Sequence, residues 1–166
     1  LCDSFNIPLV FLHDQPGFLI GPDSEKRGVI GKVINWMNAM LQVTVPRISL
    51  ILRKSYGRGF INMGGAGTSD EISAWWTAEV SFMNPRTAVT VVHGLKEEDD
   101  PARFKDLLRE MARNGGAYDL AAVYGVKEVL DPRDTREYLK EALDVHTLRL
   151  SGGVGQHKLA NWPTSY

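Results

Sequence analysis

This sequence of 166 residues lacks most of the features that assign a function at first sight. Cys2 is its only cysteine, which excludes an internal disulfide and a cysteine-ligated metal cluster. No apolar run approaches the roughly 18 residues that a membrane span needs, and no signal-peptide pattern heads the chain. The histidines have no metal-ligand spacing, so we expect each to be structural or exposed: His13, His93, His146 and His157.

Strong charge is also missing. The net charge of −1 gives no general attraction to nucleic acid or to an anionic membrane. A hydrophobic fraction of 43% and a charged fraction of 23% are ordinary for a globular domain with a real core. With one cysteine, we expect a reducing compartment: the cytoplasm, or the mitochondrial matrix in a eukaryote. Because the chain starts at Leu1, on what looks like the last turn of a helix, we expect a piece of something longer.

Apolar periodicity predicts alternating strands and helices. We predict strands at 8–13, 47–53 and 78–83, the first buried on both faces, and a short strand or helical turn within 121–130. We predict one helix over 24–41 and further helices after Asn84, Asp100 and Asp131, each of which precedes a proline. This alternation indicates an α/β fold with a mainly parallel sheet of three or four visible strands. The tail, 151–166, is expected to wrap a surface or a neighbouring subunit.

The most informative stretch is 53–63, where a β-branched strand runs into a glycine turn and the start of a short helix. Free backbone N–H groups around Arg58, Gly59 and Phe60 would stabilise an anionic oxygen there. A plain strand-to-helix turn that needs glycine for its dihedral angles explains the same residues. A Ser55 nucleophile elbow is set aside, because that motif requires glycine where Arg53 stands.

Two further glycine-containing segments are candidates for ligand loops. The segment Pro16-Gly17-Phe18 follows the first predicted strand, at the edge where parallel sheets tend to bind ligands, although an ordinary turn is an equal alternative. The segment 152–158 is excluded as a phosphate loop. It lacks glycine before its lysine and Ser or Thr after it, and no strand precedes it.

Four ordered segments together resemble a known family. They are CDSFNIPLVFLHDQPGFLIG (2–21), TVPRISLILRKSYGRGF (44–60), WTAEVSFMNPRTAV (76–89) and VLDPRDTREYLKEAL (129–143). In this order they resemble the C-terminal half of the carboxyltransferase (beta) subunit of biotin-dependent acyl-CoA carboxylases, of the acetyl-CoA or propionyl-CoA type. The resemblance covers nearly the whole chain, except the tail and 92–119, where only the helical pattern matches.

The resemblance implies a crotonase-like (ClpP-like) ββα-superhelix, with 1–150 as the later part of a C-terminal carboxyltransferase domain and 151–166 as a tail. It implies carboxyl transfer between carboxybiotin and an acyl-CoA, with the backbone N–H groups of Arg58 and Gly59 stabilising the biotin enolate. It also implies a set of substrate-binding residues: Gly17, Phe18, Tyr56, Gly57, Phe60 and Ile61. No metal is implied.

The same resemblance implies partners. Biotin would be carried on a separate protein or domain, with a biotin carboxyl carrier protein and a biotin carboxylase as partners and a coenzyme A thioester as substrate. We also expect a homo-oligomer, because active sites in the family lie between subunits. Neither nucleic acid nor a membrane is an expected partner.

Departures from the family keep alternatives open. Many members have Gly-Ala where this chain has Arg58-Gly59, an acidic residue is common at Ile61 in propionyl-CoA-preferring members, and valine is usual at Gln15. The acyl group and the direction of the reaction are therefore not assigned. The alternatives are another crotonase-like activity, such as an acyl-CoA hydratase or decarboxylase, and a non-catalytic assembly subunit.

Overall fold

A computed structural model describes residues 1–65 and 67–148. The strands are β1 (Leu9–Gln15), β2 (Arg47–Tyr56), β3 (Glu71–Trp75), β4 (Glu79–Ser81) and β5 (Val129–Leu130). The helices are α1 (Pro22–Lys26), α2 (Val29–Gln42), α3 (Arg58–Asn62), α4 (Pro85–His93), α5 (Pro101–Met111), α6 (Ala117–Ala122) and α7 (Thr135–Thr147). Short 3-10 turns span Asp3–Phe5 and Pro132–Asp134. The predicted tail lies outside the described residues.

All five strands belong to one parallel sheet, which confirms the predicted α/β class. Their order is β1-β2-β3-β5, and β4 pairs with the last residues of β2. Both β3 and β4 therefore pair with β2, one after the other along its length. Thr77, between them, donates its hydroxyl to the Leu52 carbonyl of β2 at 2.8 Å. The predicted number of strands was too low, because β3 was not predicted.

Two other predictions were wrong. The first strand is not buried on both faces: β1 lies at the edge of the sheet, where the side chains of Val10 and Leu12 are 39% and 50% exposed. The helix predicted over 24–41 is two helices, α1 and α2. Gly28 separates them with a φ of 65°, a left-handed conformation that interrupts a right-handed helix and that glycine adopts readily.

The core lies on both faces of β2. Ile48 and Leu50, two residues apart and therefore on one face, pack against Tyr138 and Ala142 of α7. Ile51 points to the other face and packs in a second cluster with Ala74, Ala78, Ala117 and Val126. The helix α7 thus buries Tyr138 and Ala142 against the sheet. Because β2 is held from both faces, its carboxyl end is a rigid base for the turn that follows.

Polar contacts attach α7 and the loop before β5 to β3. The buried Glu71 accepts a hydrogen bond from Lys127 Nζ at 2.9 Å, and its other oxygen lies 3.1 Å from His146 Nε2. Burial raises the pKa of Glu71, but the hydrogen bonds from Lys127 and His146 outweigh it and leave that pKa below its usual value. Trp75 Nε1 donates to Thr135 Oγ1 at 2.8 Å. In the described part of the chain, no helix combines the length and the apolarity that crossing a membrane takes.

Candidate functional site

The turn predicted from the glycine pattern lies at the carboxyl end of β2. Gly57 has φ 55° and ψ −128°, and α3 starts at the next residue. The N–H groups of Arg58 and Gly59 belong to the first turn of α3, where no intrahelical acceptor exists. Within 1–65 and 67–148, no other group accepts a hydrogen bond from either of them. Within the described residues, two adjacent backbone donors at this turn therefore have no acceptor.

The strand β4 holds this turn in place. Ser81 pairs with Tyr56 in the sheet, and its carbonyl oxygen accepts a hydrogen bond from the Gly57 N–H at 2.9 Å. A Cβ at position 57 would lie 2.6 Å from the backbone oxygen of Phe82. Glycine is thus required at this position for two reasons: the positive φ, and the close approach of the backbone that follows β4.

A groove of about 610 Å³ runs along the turn between α3 and the end of β4. Its lining residues are Gly57, Arg58, Phe60, Ile61, Val80, Ser81 and Phe82. Four residues that the resemblance implied for the site thus share one groove. The β4 wall was not predicted as part of it. Phe82 is 84% exposed and lies just after β4, which ends at Ser81, whereas the strand predicted over 78–83 included it. Nothing in the sequence marked it as a wall of the groove.

The loop after β1 approaches the same turn from its other side. Gly59 is buried, and a Cβ there would lie 3.4 Å from the Gly17 carbonyl oxygen and 2.6 Å from Gln15 Oε1. The loop predicted to bind a ligand therefore contacts the glycine turn. Phe18, next along the loop, is half-buried and does not line the groove.

Tyr56 lies beneath the turn. Its side chain is 3% exposed, and its hydroxyl donates to Glu79 Oε2 at 2.6 Å, which joins β2 to β4. Burial, followed by the hydrogen bond to Glu79, raises the pKa of Tyr56 well above its usual value. The structure places this residue where it supports the turn, outside the lining of the groove.

The helix α2 covers the outer side of α3. Trp36 Nε1 donates to the Asn62 carbonyl at 2.8 Å, and Arg58 Nη1 lies 3.3 Å from Met37 Sδ. The exposed Arg58 side chain therefore contacts α2, and Arg58 is also one of the residues that line the groove. It brings positive charge to one rim of the groove.

A buried histidine–serine pair lies behind the turn. His13 is fully buried, with Nδ1 2.9 Å from Ser55 Oγ and its ring centroid 6.2 Å from that of Phe60. Burial lowers the pKa of His13 to about 4, an effect that the backbone of Met63 partly offsets. The imidazole is therefore neutral at neutral pH. Ser55 is also fully buried, which agrees with setting aside a nucleophile elbow.

His13 predicts a pH dependence of stability. Because its folded pKa of about 4 lies below the usual histidine pKa of 6.5, the unfolded state binds a proton more readily between these values. The contribution of His13 is complete above pH 6.5 and declines as the pH falls towards 4. We expect the urea midpoint to drop less between pH 7 and pH 4.5 in His13→Asn than in wild type. A drop of the same size in both proteins would contradict a buried neutral imidazole.

The exposed His93, at the end of α4, provides the control: His93→Gln should follow wild type across this range. Of the other histidines, His146 lies beside Glu71 and His157 lies outside the described residues. Across 1–65 and 67–148, no group of three or more His, Cys, Asp or Glu side chains could hold a metal ion.

The sequence of this chain was compared with those of known families and proteins. The family described as "Carboxyl transferase domain" matches residues 1–151. The chain is 39% identical over 150 residues to the biotin-dependent acetyl-/propionyl-coenzyme A carboxylase beta6 subunit of Mycobacterium tuberculosis, an alignment covering 86% of this chain and 32% of that relative. It is 37% identical over 153 residues to the methylmalonyl-CoA carboxyltransferase 12S subunit of Propionibacterium freudenreichii subsp. shermanii, covering 89% and 29% of the two chains.

A solved structure agrees with these relatives. The transcarboxylase 12S structure with hydrolyzed methylmalonyl-coenzyme A bound matches with a TM-score of 0.81 and 34% identity, covering 94% of this chain and 31% of that one. The chain thus spans about a third of the length of the curated relatives it matches.

Proposed function

The chain belongs to the carboxyl transferase domain family, and we propose that the full-length protein containing it moves a carboxyl group between carboxybiotin and an acyl-CoA. Its fold is crotonase-like, as the resemblance implied. The observation that carries the proposal is the pair of N–H groups on Arg58 and Gly59, which have no acceptor within the described residues. Arg58 lines a groove of about 610 Å³, and the neighbouring Gly59 is buried.

These donors suit a ureido ring. Such a ring is small and planar, and its carbonyl oxygen can accept two hydrogen bonds. Carrier-borne carboxybiotin supplies the labile N–C bond. The Arg58 and Gly59 N–H groups donate to the ureido oxygen, onto which electrons shift as that bond breaks. Because the oxygen carries more negative charge in the transition state than in the ground state, both hydrogen bonds strengthen there, and this difference accelerates the reaction.

The remaining steps need no titrating side chain of this chain. Bound carboxybiotin would supply the carboxyl group for the α-carbon of the acyl-CoA, and the ureido nitrogen that it leaves would accept the α-proton. His13, the histidine nearest the turn, is neutral, fully buried and paired with Ser55, so it is unsuited to exchange that proton. In this proposal, residues of this chain bind and orient the ureido ring and stabilise the negative charge that develops on its oxygen.

The other site residues have supporting roles in this proposal. Phe60 and Ile61, with Phe82 opposite, provide apolar walls for the bicyclic ring. The loop of Gly17 and Phe18 bounds the site on the β1 side. Gly57 and Tyr56 hold the turn in its conformation through their contacts with β4. Ile61 is the wall residue at the position where relatives differ, and we propose that it contributes to the choice of acyl group.

We further propose a setting for this chain. Residues 1–150 would form the later part of the C-terminal domain of a carboxyltransferase subunit. That subunit would be a homo-oligomer working with a biotin carboxyl carrier protein and a biotin carboxylase. Two observations support this: the chain spans about a third of its relatives, and the related 12S structure is described as a hexamer assembly in a multienzyme core.

The test is carboxyl transfer by the full-length protein. Malonyl-CoA and methylmalonyl-CoA, labelled in the free carboxyl group, are incubated with the protein and a biotinylated carrier. We expect label on the carrier, and none after avidin is added. Release of labelled CO2 without biotin would indicate a decarboxylase. Complete retention of label in the CoA thioesters, together with no transfer in the forward direction, would contradict the proposal.

A further inference from the structure

The side-chain amide of Gln15 lies directly against Gly59. Its Oε1 is 2.6 Å, and its Cβ 3.5 Å, from the point that a Cβ of Gly59 would occupy. Real Cβ atoms do not approach an oxygen this closely, so the amide occupies space that exists only because residue 59 is glycine. The contact joins the end of β1 to one of the two residues whose N–H groups form the proposed oxyanion site.

A break in strand pairing sets this position. His13 of β1 pairs with Ile51, but Gln15 pairs with Ser55, so the register shifts between the two β1 residues. A bulge of this kind re-aims the side chain that follows it. Gln15 is thereby half-buried beside α3.

The Gln15 amide has unused hydrogen-bonding capacity. A primary amide offers two N–H donors and a carbonyl acceptor. Among the residues that the structure describes, no hydrogen bond uses any of them. Half-buried amides normally have partners, so water or a ligand is the partner to expect at this one.

We propose that Gln15 is a binding residue for the ureido edge of biotin. A cyclic urea presents a carbonyl oxygen next to an N–H on its unsubstituted side, and a primary amide presents the complementary donor and acceptor side by side. Because the ureido oxygen already accepts from Arg58 and Gly59, the contact with Gln15 is a single hydrogen bond, from the ring N–H to Gln15 Oε1. Gln15 would recognise the ring nitrogen that carries no carboxyl group, while Arg58 and Gly59 hold the oxygen. This inference rests on the proposed function, since it places biotin at the same turn.

The ligand chemistry follows from this geometry. A ring without the urea N–H, or with both nitrogens substituted, would lose the contact with the Gln15 carbonyl. Binding of the acyl-CoA would not depend on Gln15, because the acyl-CoA offers no cyclic urea edge. A substitution of Gln15 should therefore weaken the binding of biotin and leave the binding of the acyl-CoA thioester unchanged.

The experiment compares Gln15→Leu with wild type in the full-length protein. The dissociation constant of free biotin is measured by saturation-transfer NMR, and the KM of biotin and of malonyl-CoA or methylmalonyl-CoA is measured for transfer between them. One hydrogen bond contributes about 0.5–1.5 kcal/mol, so we expect biotin binding and its KM to worsen roughly two- to tenfold. The KM of the CoA thioester should stay within about twofold, the scatter expected when no contact is lost.

Two further variants sharpen the result. Gln42→Leu removes the same amide from the end of α2, where it donates to the Asn38 carbonyl, and should leave biotin binding unchanged. Gln15→Glu keeps the acceptor but replaces the donor with negative charge beside the developing oxyanion, so it should lower kcat more than Gln15→Leu does. Unchanged biotin affinity in both Gln15 variants, with active wild type, would overturn the inference. Wild type that transfers no carboxyl group would instead count against the proposed function.

Discussion

Arg58→Pro lowers the kcat of carboxyl transfer by about 10²–10³-fold, the loss typical of deleting one oxyanion-hole donor, while the protein stays folded. Arg58 is the first residue of α3, a position where proline is favoured because its φ suits the helix and no intrahelical acceptor awaits its N–H. Gly57, which precedes it, is outside the right-handed helical region that proline disfavours in its predecessor. The substitution therefore removes the backbone donor with little other change.

The matched control is Arg58→Ala. It keeps the N–H and removes only the exposed side chain and its contact with Met37 Sδ, so kcat should remain within a few fold of wild type. Unfolding midpoints of both variants show whether α3 persists. If Arg58→Ala and Arg58→Pro lost activity equally, the guanidinium rather than the backbone would be responsible, and the backbone mechanism would be wrong.

The turn could be predicted from the sequence because its determinants are local. A β-branched strand, Gly57 and a short helix follow one another within a few residues, and each has a strong conformational preference. The prolines after Asn84 and Asp100 predicted two helix starts for the same reason, whereas the proline after Asp131 begins a 3-10 turn that leads into α7. In the structure, the side chains of Asn84, Asp100 and Asp131 each accept a backbone hydrogen bond at the cap.

The strand β3 could not be predicted in this way. Two of its buried positions are polar, Glu71 and Ser73, and a polar residue gives no apolar pattern. Glu71 is buried because Lys127 and His146, far along the chain, supply hydrogen bonds. Its environment is therefore a property of the tertiary structure.

One side of the groove could be predicted from the sequence and the other could not. Its α3 side was identified from the glycine pattern and the resemblance, but its β4 side depends on Ser81 and Phe82 being brought to the end of β2 by strand pairing. The contact of Gln15 with Gly59 depends likewise on a register shift in β1. In the sequence, Gln15 was only a departure from the valine usual in the family. In the structure, it is a polar group that lies against Gly59.

Gly57→Ala should destabilise the protein more than any other glycine-to-alanine change at the turn. The new Cβ would lie 2.6 Å from the Phe82 backbone oxygen, and a φ of 55° with a ψ of −128° is unfavourable for any residue with a side chain. Backbone strain of about 1–3 kcal/mol and overpacking of about 1–3 kcal/mol together predict a loss of roughly 2–6 kcal/mol. The Phe82 oxygen belongs to the backbone, so a side-chain rotation cannot relieve the contact.

Gly28→Ala isolates the strain from the contact. Gly28 also has a positive φ, 65°, but a Cβ there meets nothing within 4 Å, so the expected loss is only about 1–2 kcal/mol. Urea unfolding of the full-length variants, with hydrogen exchange over α3 and β4, measures both effects. Gly57→Ala should also free the Gly57 N–H from Ser81 and release β4, which would remove one wall of the groove. Equal losses in the two variants would mean that β4 does not press on the turn, and the groove would then need another support.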